Sequence, residues 1–154
     1  MACARALPSS SQDRVAVATA ERDRFCDEEV EQAAAVALRA VQSADPLYVT
    51  VSSSKGSYQA LLLGARLWLP AHQGVTPQWL ERTLRCHQAR LALQPPSTGP
   101  ALLDPFWLPD GWIDIDVVAE RGGFIVVLRG DSVARGQQIY ARAQAFVAKA
   151  PNER

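Results

Sequence analysis

The chain has 154 residues, 48% of them apolar and 21% charged, enough to bury a core without a disulfide scaffold and too apolar to be disordered in bulk. Its 16 Lys and Arg balance 16 Asp and Glu, so no net field gathers phosphate backbones, and nucleic acid is not an expected partner. No apolar run reaches the length of about 18 residues that a membrane span needs, and Met1 to Gln12 lacks a signal-peptide core. These absences argue against membrane insertion, and an odd count of three cysteines makes the cytoplasm the default compartment, although an exported mature form would read the same way.

Residues 1–12, rich in Ala, Ser and Pro, are expected to form a flexible N-terminal arm, with residues 13–150 as one α+β domain. Whether helix covers Arg14 to Phe25 is open. From Asp27 onward, Val30, Ala34, Ala37, Leu38 and Val41 recur at spacings of three and four behind a glutamate-rich first turn. That pattern predicts a helix, which Asp45-Pro46 should stop. Leu47, Val49 and Val51 then alternate with polar neighbours, Ser54-Lys55-Gly56 turns, and Tyr58 to Leu63 returns as the second strand of a hairpin. Gly64 marks either a bulge or the strand end, so Ala65 to Leu69 either continues the strand or forms another.

Thr76 caps and Pro77 opens a helix running to about Leu93. Leu80, Leu84, His87 and Leu91 form its expected inner stripe, with Arg82, Arg85 and Ala89 opposite. Residues 94–109 carry five prolines and form a Pro-rich internal loop. Trp112 to Val118 predicts a strand with Ile113, Ile115 and Val117 inward and Asp114 and Asp116 outward; Glu120-Arg121-Gly122-Gly123 turns, and Phe124 to Leu128 returns. Asp131-Ser132 caps a last helix whose face is read as Val133, Gly136, Tyr140, Ala143 and Val147.

A ββα unit thus occurs twice, over 47–93 and 112–148, which suggests an internal duplication behind a leading helix. The fold expected is α-ββα-ββα: a two-layer α+β sandwich whose four-stranded antiparallel sheet comes from two β-hairpins covered by helices. Strand order is left open by this pattern.

Few residues point to chemistry. His87, on a leucine stripe, needs a carbonyl or carboxylate partner if buried, and is otherwise a candidate ligand. With Cys86 and His72 it makes the candidate set for a small molecule or a metal ion, although neighbouring helix positions point about 100° apart and suit one metal poorly. Three cysteines without a CxxC pair argue against a disulfide framework, while one disulfide with a leftover thiol stays open. Asp114 and Asp116 share a strand face about 7 Å apart and read as a solvated face or a cation site.

Phe106, Trp107 and Trp112 crowd aromatics into the Pro-rich loop, and Trp68 sits in a similar Leu-Trp-Leu-Pro stretch. They are the candidate interface residues, set against the alternative that the loop tucks its rings into the core. No phosphate-cradling glycine loop, nucleophile elbow or zinc-protease helix is present. The expected function is therefore a non-catalytic interaction or assembly module, acting on a protein partner or by self-association as a homodimer, without a cofactor. A small-molecule or metal-ion binding protein is the alternative, and an enzyme with an unrecognised site the third reading.

Overall fold

Alternating apolar residues form strands here because one sheet face is roofed by helices, and the sequence supplies a helix after each hairpin. The computed structural model describes residues 7, 11–94, 104–149 and 151–153. The elements are α1 (Ser11–Phe25), α2 (Glu28–Arg39), β1 (Ser43–Ser52), β2 (Tyr58–Pro70), α3 (Pro77–Leu93), β3 (Asp114–Glu120), β4 (Gly123–Arg129) and α4 (Val133–Ala148), followed by a 3-10 turn at Pro151–Glu153. The four strands form one antiparallel sheet in the order β1-β2-β4-β3, so each hairpin contributes one central and one edge strand. The expected α+β architecture is present, with one more helix than the pattern announced.

That helix is α1. Ser11 and Gln12 belong to it rather than to the expected arm; of the remaining arm positions only Leu7 is among the described residues. Its apolar periodicity is weak, yet Ala18 is fully buried and Glu21 is 2% exposed, because the helix packs on α3. For α2, the Asp27 carboxylate accepts a hydrogen bond from the Val30 amide, and Val30, Ala34 and Leu38 are buried as expected. The helix ends at Arg39, well before Asp45-Pro46, and Val41 is buried from the following loop.

Pro46 instead lies within β1, the edge strand. A proline is tolerated there when its missing amide would have faced outward. Leu47 faces Gly64 while Tyr48 faces Leu62, so Leu63 is an extra residue and β2 carries a bulge. Strand β2 continues through it to Pro70, which resolves the Gly64 alternatives. Past the bulge, Ala65, Leu67 and Leu69 face the helices, in register with Leu128, Val126 and Phe124 of β4. Beyond this block β1 and β2 extend past β4 as a two-stranded ribbon with α4 packed against it, since β4 pairs only with Gly64 to Pro70.

At β3, Ile113 just before the strand and Ile115 within it are buried and Asp116 is exposed, the predicted polarity. The edge of this strand is occupied: Arg85 donates to the Ile115 carbonyl at 3.0 Å and Gln88 to the Ile113 carbonyl at 3.0 Å. Side chains from α3 thereby cover one sheet margin, a recognised way of blunting an edge.

The expected outer face of α3 is corrected here. Thr76 caps the helix through the Trp79 amide as predicted, but Ala89 is fully buried and Arg85 mostly so. Helix α1 roofs that side, and Arg85 bonds Glu21 of α1 at 3.3 Å and Glu81 at 2.9 Å. In α4 the buried stripe is Gly136, Ile139, Ala143 and Phe146, with Tyr140 and Val147 as flanks and Val133 exposed. The predicted face was rotated because Gly136, rather than a large side chain, makes the closest approach to the sheet.

A disulfide joins Cys26, between α1 and α2, to Cys86 of α3. It closes a loop with a sequence separation of 60, for which chain entropy gives about 4 kcal/mol. Reduction is expected to lower the urea midpoint correspondingly, and alkylation after reduction should label two more thiols than alkylation before it. A Cβ added at Gly136 would lie 2.5 Å from the Leu62 oxygen. Gly136→Ala should therefore destabilise by about 1–3 kcal/mol in thermal melts, reversing the usual helix preference for alanine.

Candidate functional site

Three groups of side chains were singled out by the sequence, and the fold separates them. The first lies where the loop after α3 returns to β3. His87 Nε2 is 2.7 Å from an Asp104 carboxylate oxygen, and the other Asp104 oxygen accepts from the Phe106 amide at 2.8 Å. The Phe106 ring stands edge-on to His87 with centroids 5.9 Å apart. His87 is thus a satisfied histidine that pins the loop, the carboxylate-partnered arrangement foreseen for a buried imidazole.

Phe106 and Trp112 are 1% and 5% exposed, so neither offers a surface, and the interface expectation for them is corrected. The loop tucks its rings inward because Pro105, Leu108 and Ile113 are buried with them and the sheet end would otherwise be open. Trp107 is half-buried between two guanidinium groups, with Arg142 5.0 Å and Arg14 5.9 Å from its ring centroid. Burial lowers the pKa of both arginines from the usual guanidinium value, with Asp110 opposing the shift at Arg14 and Asp104 at Arg142. Arg14 also donates to the Pro109 carbonyl at 2.7 Å, tying α1 to this loop. Residues 95–103, the larger part of the Pro-rich loop, lie outside the described residues.

The second group, the soft ligands, is dispersed. Cys86 spends its sulfur in the disulfide with Cys26, which removes it as a thiolate ligand. His72 lies before the start of α3 and His87 ten residues past Pro77, about 15 Å along the axis. Asp114 pairs with Arg129 at 3.3 Å while Asp116 stays in water, so the two carboxylates do not act as a pair. Among the described residues no group of three or more His, Cys, Asp or Glu could hold a metal ion.

Trp68 is half-buried on the sheet face away from the helices, in register with Ile125 and, one strand further, with Val118, which is 53% exposed. This is a small apolar row rather than a cleft.

A further feature was not legible in the sequence as a site. A groove of about 380 Å³ opens between α2 and the β2–α3 connection. Ala33, Val36, Ala37 and Ala40 of α2 form one wall; Leu69, Val75, Trp79 and Phe124 are prominent on the other side. His72 and Glu29 lie at its mouth, both exposed, so one predicted candidate residue does reach a cavity. The groove exists because α2 is set against α3, leaving small alanines facing the loop where larger side chains would have filled the space. Val36, 63% exposed, projects beside it. Among the candidate residues, those able to move protons are engaged in ion pairs or isolated, and the groove presents shape and apolar surface. No known family, curated protein or solved structure matches the chain.

The His87–Asp104 pair should matter to stability rather than to chemistry. His87→Ala leaves a mostly buried carboxylate without its imidazole partner and is expected to cost about 2–3 kcal/mol in denaturant melts. Near-ultraviolet circular dichroism should change as the rings of Phe106 and Trp107 loosen.

Proposed function

We propose that the protein is an interaction module whose groove between α2 and the β2–α3 connection receives an apolar segment of a protein partner. The observation that carries this reading is the lining: an apolar floor with polar groups confined to an exposed mouth. Protein interfaces share that anatomy, a greasy centre inside a wet rim. A small-molecule site would instead place a few buried polar groups where they orient the ligand, and Glu29, His72 and Gln73 are all exposed.

The stripe Ala33, Val36, Ala37 and Ala40 repeats at helical spacing and presents a shallow surface to a second helix. Acidic Glu28 and Glu29 begin α2 at one end. An amphipathic helix with leucine-sized residues at helical spacing and a basic residue beside them suits both features. The disulfide supports an oxidising compartment, where such bonds persist, over the cytoplasm that the odd cysteine count made the default.

Val36 is exposed, so Val36→Asp should change stability by no more than about 0.5 kcal/mol. Selection from a displayed library of amphipathic helical peptides is expected to enrich sequences with apolar residues three and four apart and an adjoining Lys or Arg. Those peptides should bind Val36→Asp at least about tenfold more weakly, a loss of about 1.4 kcal/mol. Peptides that bind both forms equally, or a selection that enriches nothing, would remove the groove as the site.

A further inference from the structure

The two margins of the sheet are treated differently. At the β3 margin Arg85 of α3 takes the Ile115 carbonyl, and Gln88 takes that of Ile113 just before the strand. Along β1 the described residues offer no such partners. The Ser53 amide donates to the Ser57 carbonyl at 2.8 Å across the hairpin. In an antiparallel ladder the bonding pairs alternate, so Val51, Val49 and Leu47 also bond inward to β2. Tyr48, Thr50 and Ser52 therefore point their amides and carbonyls outward, as does Pro46 its carbonyl alone. This half of β1 belongs to the ribbon that extends past β4, backed by α4 but with no strand on its outer side. Of the seven exposed large apolar residues among the described ones, three lie on it: Tyr48, 58% exposed, Val51, 39%, and Tyr58, 78%.

We infer that a second copy of this chain docks on the β1 edge, antiparallel and about a two-fold axis at Thr50, joining two four-stranded sheets into one. The register follows from the backbone. Pairing Thr50 with its own counterpart places Tyr48 against Ser52 of the second copy and Ser52 against its Tyr48. All outward-facing groups of the segment are then used, in about six hydrogen bonds, because each such pair exchanges two. Sliding by two residues one way brings Pro46 opposite Ser52 and loses bonds, since proline has no amide to give; sliding the other way sets Tyr48 against Ser54, past the end of β1.

Side chains agree with that register on both faces. Val51 of one copy falls in a close, non-bonded pair with Val49 of the other. On the opposite face Tyr48 lies in a row with Ser52 and Tyr58 of the second copy, given that Ser52 faces Tyr58 within each hairpin. The small serine lets the two tyrosine rings lean together. Charge is complementary as well: Asp45 and Lys55, both exposed and without an ion pair among the described residues, meet across the interface, Asp45 of each copy approaching Lys55 of the other. Leu47 to Ser52 carries no charge, so nothing repels across the axis. A symmetric pairing in which one patch meets itself is the commonest route to a dimer. With one strand pair as its centre the interface is small, and dissociation on the order of micromolar is expected.

Sedimentation velocity over a concentration series tests this on the full chain. The wild type should pass from monomer to dimer, and Thr50→Pro should stay monomeric with an unchanged far-ultraviolet spectrum, because the amide it removes faces away from β2. Lys55→Asp should weaken the dimer at least about tenfold, and Asp45→Lys together with Lys55→Asp should restore it. If Thr50→Pro disturbs the fold, Thr50→Cys decides instead. In the proposed register the paired Cα atoms stand about 5.5 Å apart, within disulfide reach. With Cys3→Ser in every form compared, mild oxidation should then give a covalent dimer that neither the parent nor Gln59→Cys forms. A wild type that is monomeric up to about millimolar concentration, or a Thr50→Cys variant that fails to cross-link, would overturn the proposal; the first result would leave the edge to a strand from a different protein. Val36→Asp should dimerise normally, so loss of groove binding and loss of the dimer are read separately.

Discussion

The structure depends on α3 being buried on both sides. One face lies against the sheet through Leu80 and Leu84, and the other lies under α1, where Ala89 and Arg85 lose most of their contact with water. Arg82 and Arg90 of the helix still reach water, but a charge on the side under α1 does not. Arg85 resolves this by spreading its guanidinium over Glu21, Glu81 and the Ile115 carbonyl, so α1, α3 and β3 are bonded to one planar group. The disulfide from Cys86 to Cys26 lies on the same layer. Breaking one partner in so dry a network leaves the others uncompensated, which is why buried ion pairs matter more when cut than when formed.

That placement determines the surfaces left over. With α1 and α2 drawn onto α3, the alanine stripe of α2 overhangs the β2–α3 connection and a groove remains. With α3 side chains bonded at the start of the β3 margin, β1 is the edge without such cover along its length among the described residues. The groove touches Leu69 and Pro70 at one end of β2, and the ribbon ends at Tyr58 at the other. About twelve strand steps separate them, about 40 Å at the usual rise. Pairing through β1 would leave both grooves open, and a two-fold assembly would present them as a bivalent receptor.

Much of the fold could be read from the residues. Thr76-Pro77, Asp27 and Ser132 mark helix starts through hydrogen bonds that are local in sequence, and all three appear as caps. Alternation over Ile113 to Asp116 gave the correct faces because one strand side is wet. Asp45-Pro46 misled, since proline stops a helix and also suits an edge strand, and only the neighbouring strand distinguishes the two. Phe106 and Trp112 misled in the same way: a ring in an irregular loop has no period to show which way it points. The groove was invisible because alanine carries no signal except the space it leaves.

Local chemistry in the chain therefore determined the helices after α1, the two hairpins and the polarity of the β3 faces, since caps, turns and alternation act over a few residues. Tertiary structure alone decided the strand order, the burial of α3 on its second side, the Cys26–Cys86 bond and the pairing of His87 with Asp104. These join positions far apart in the chain, and no periodicity of three, four or two residues records which distant segment will supply the other half of a contact.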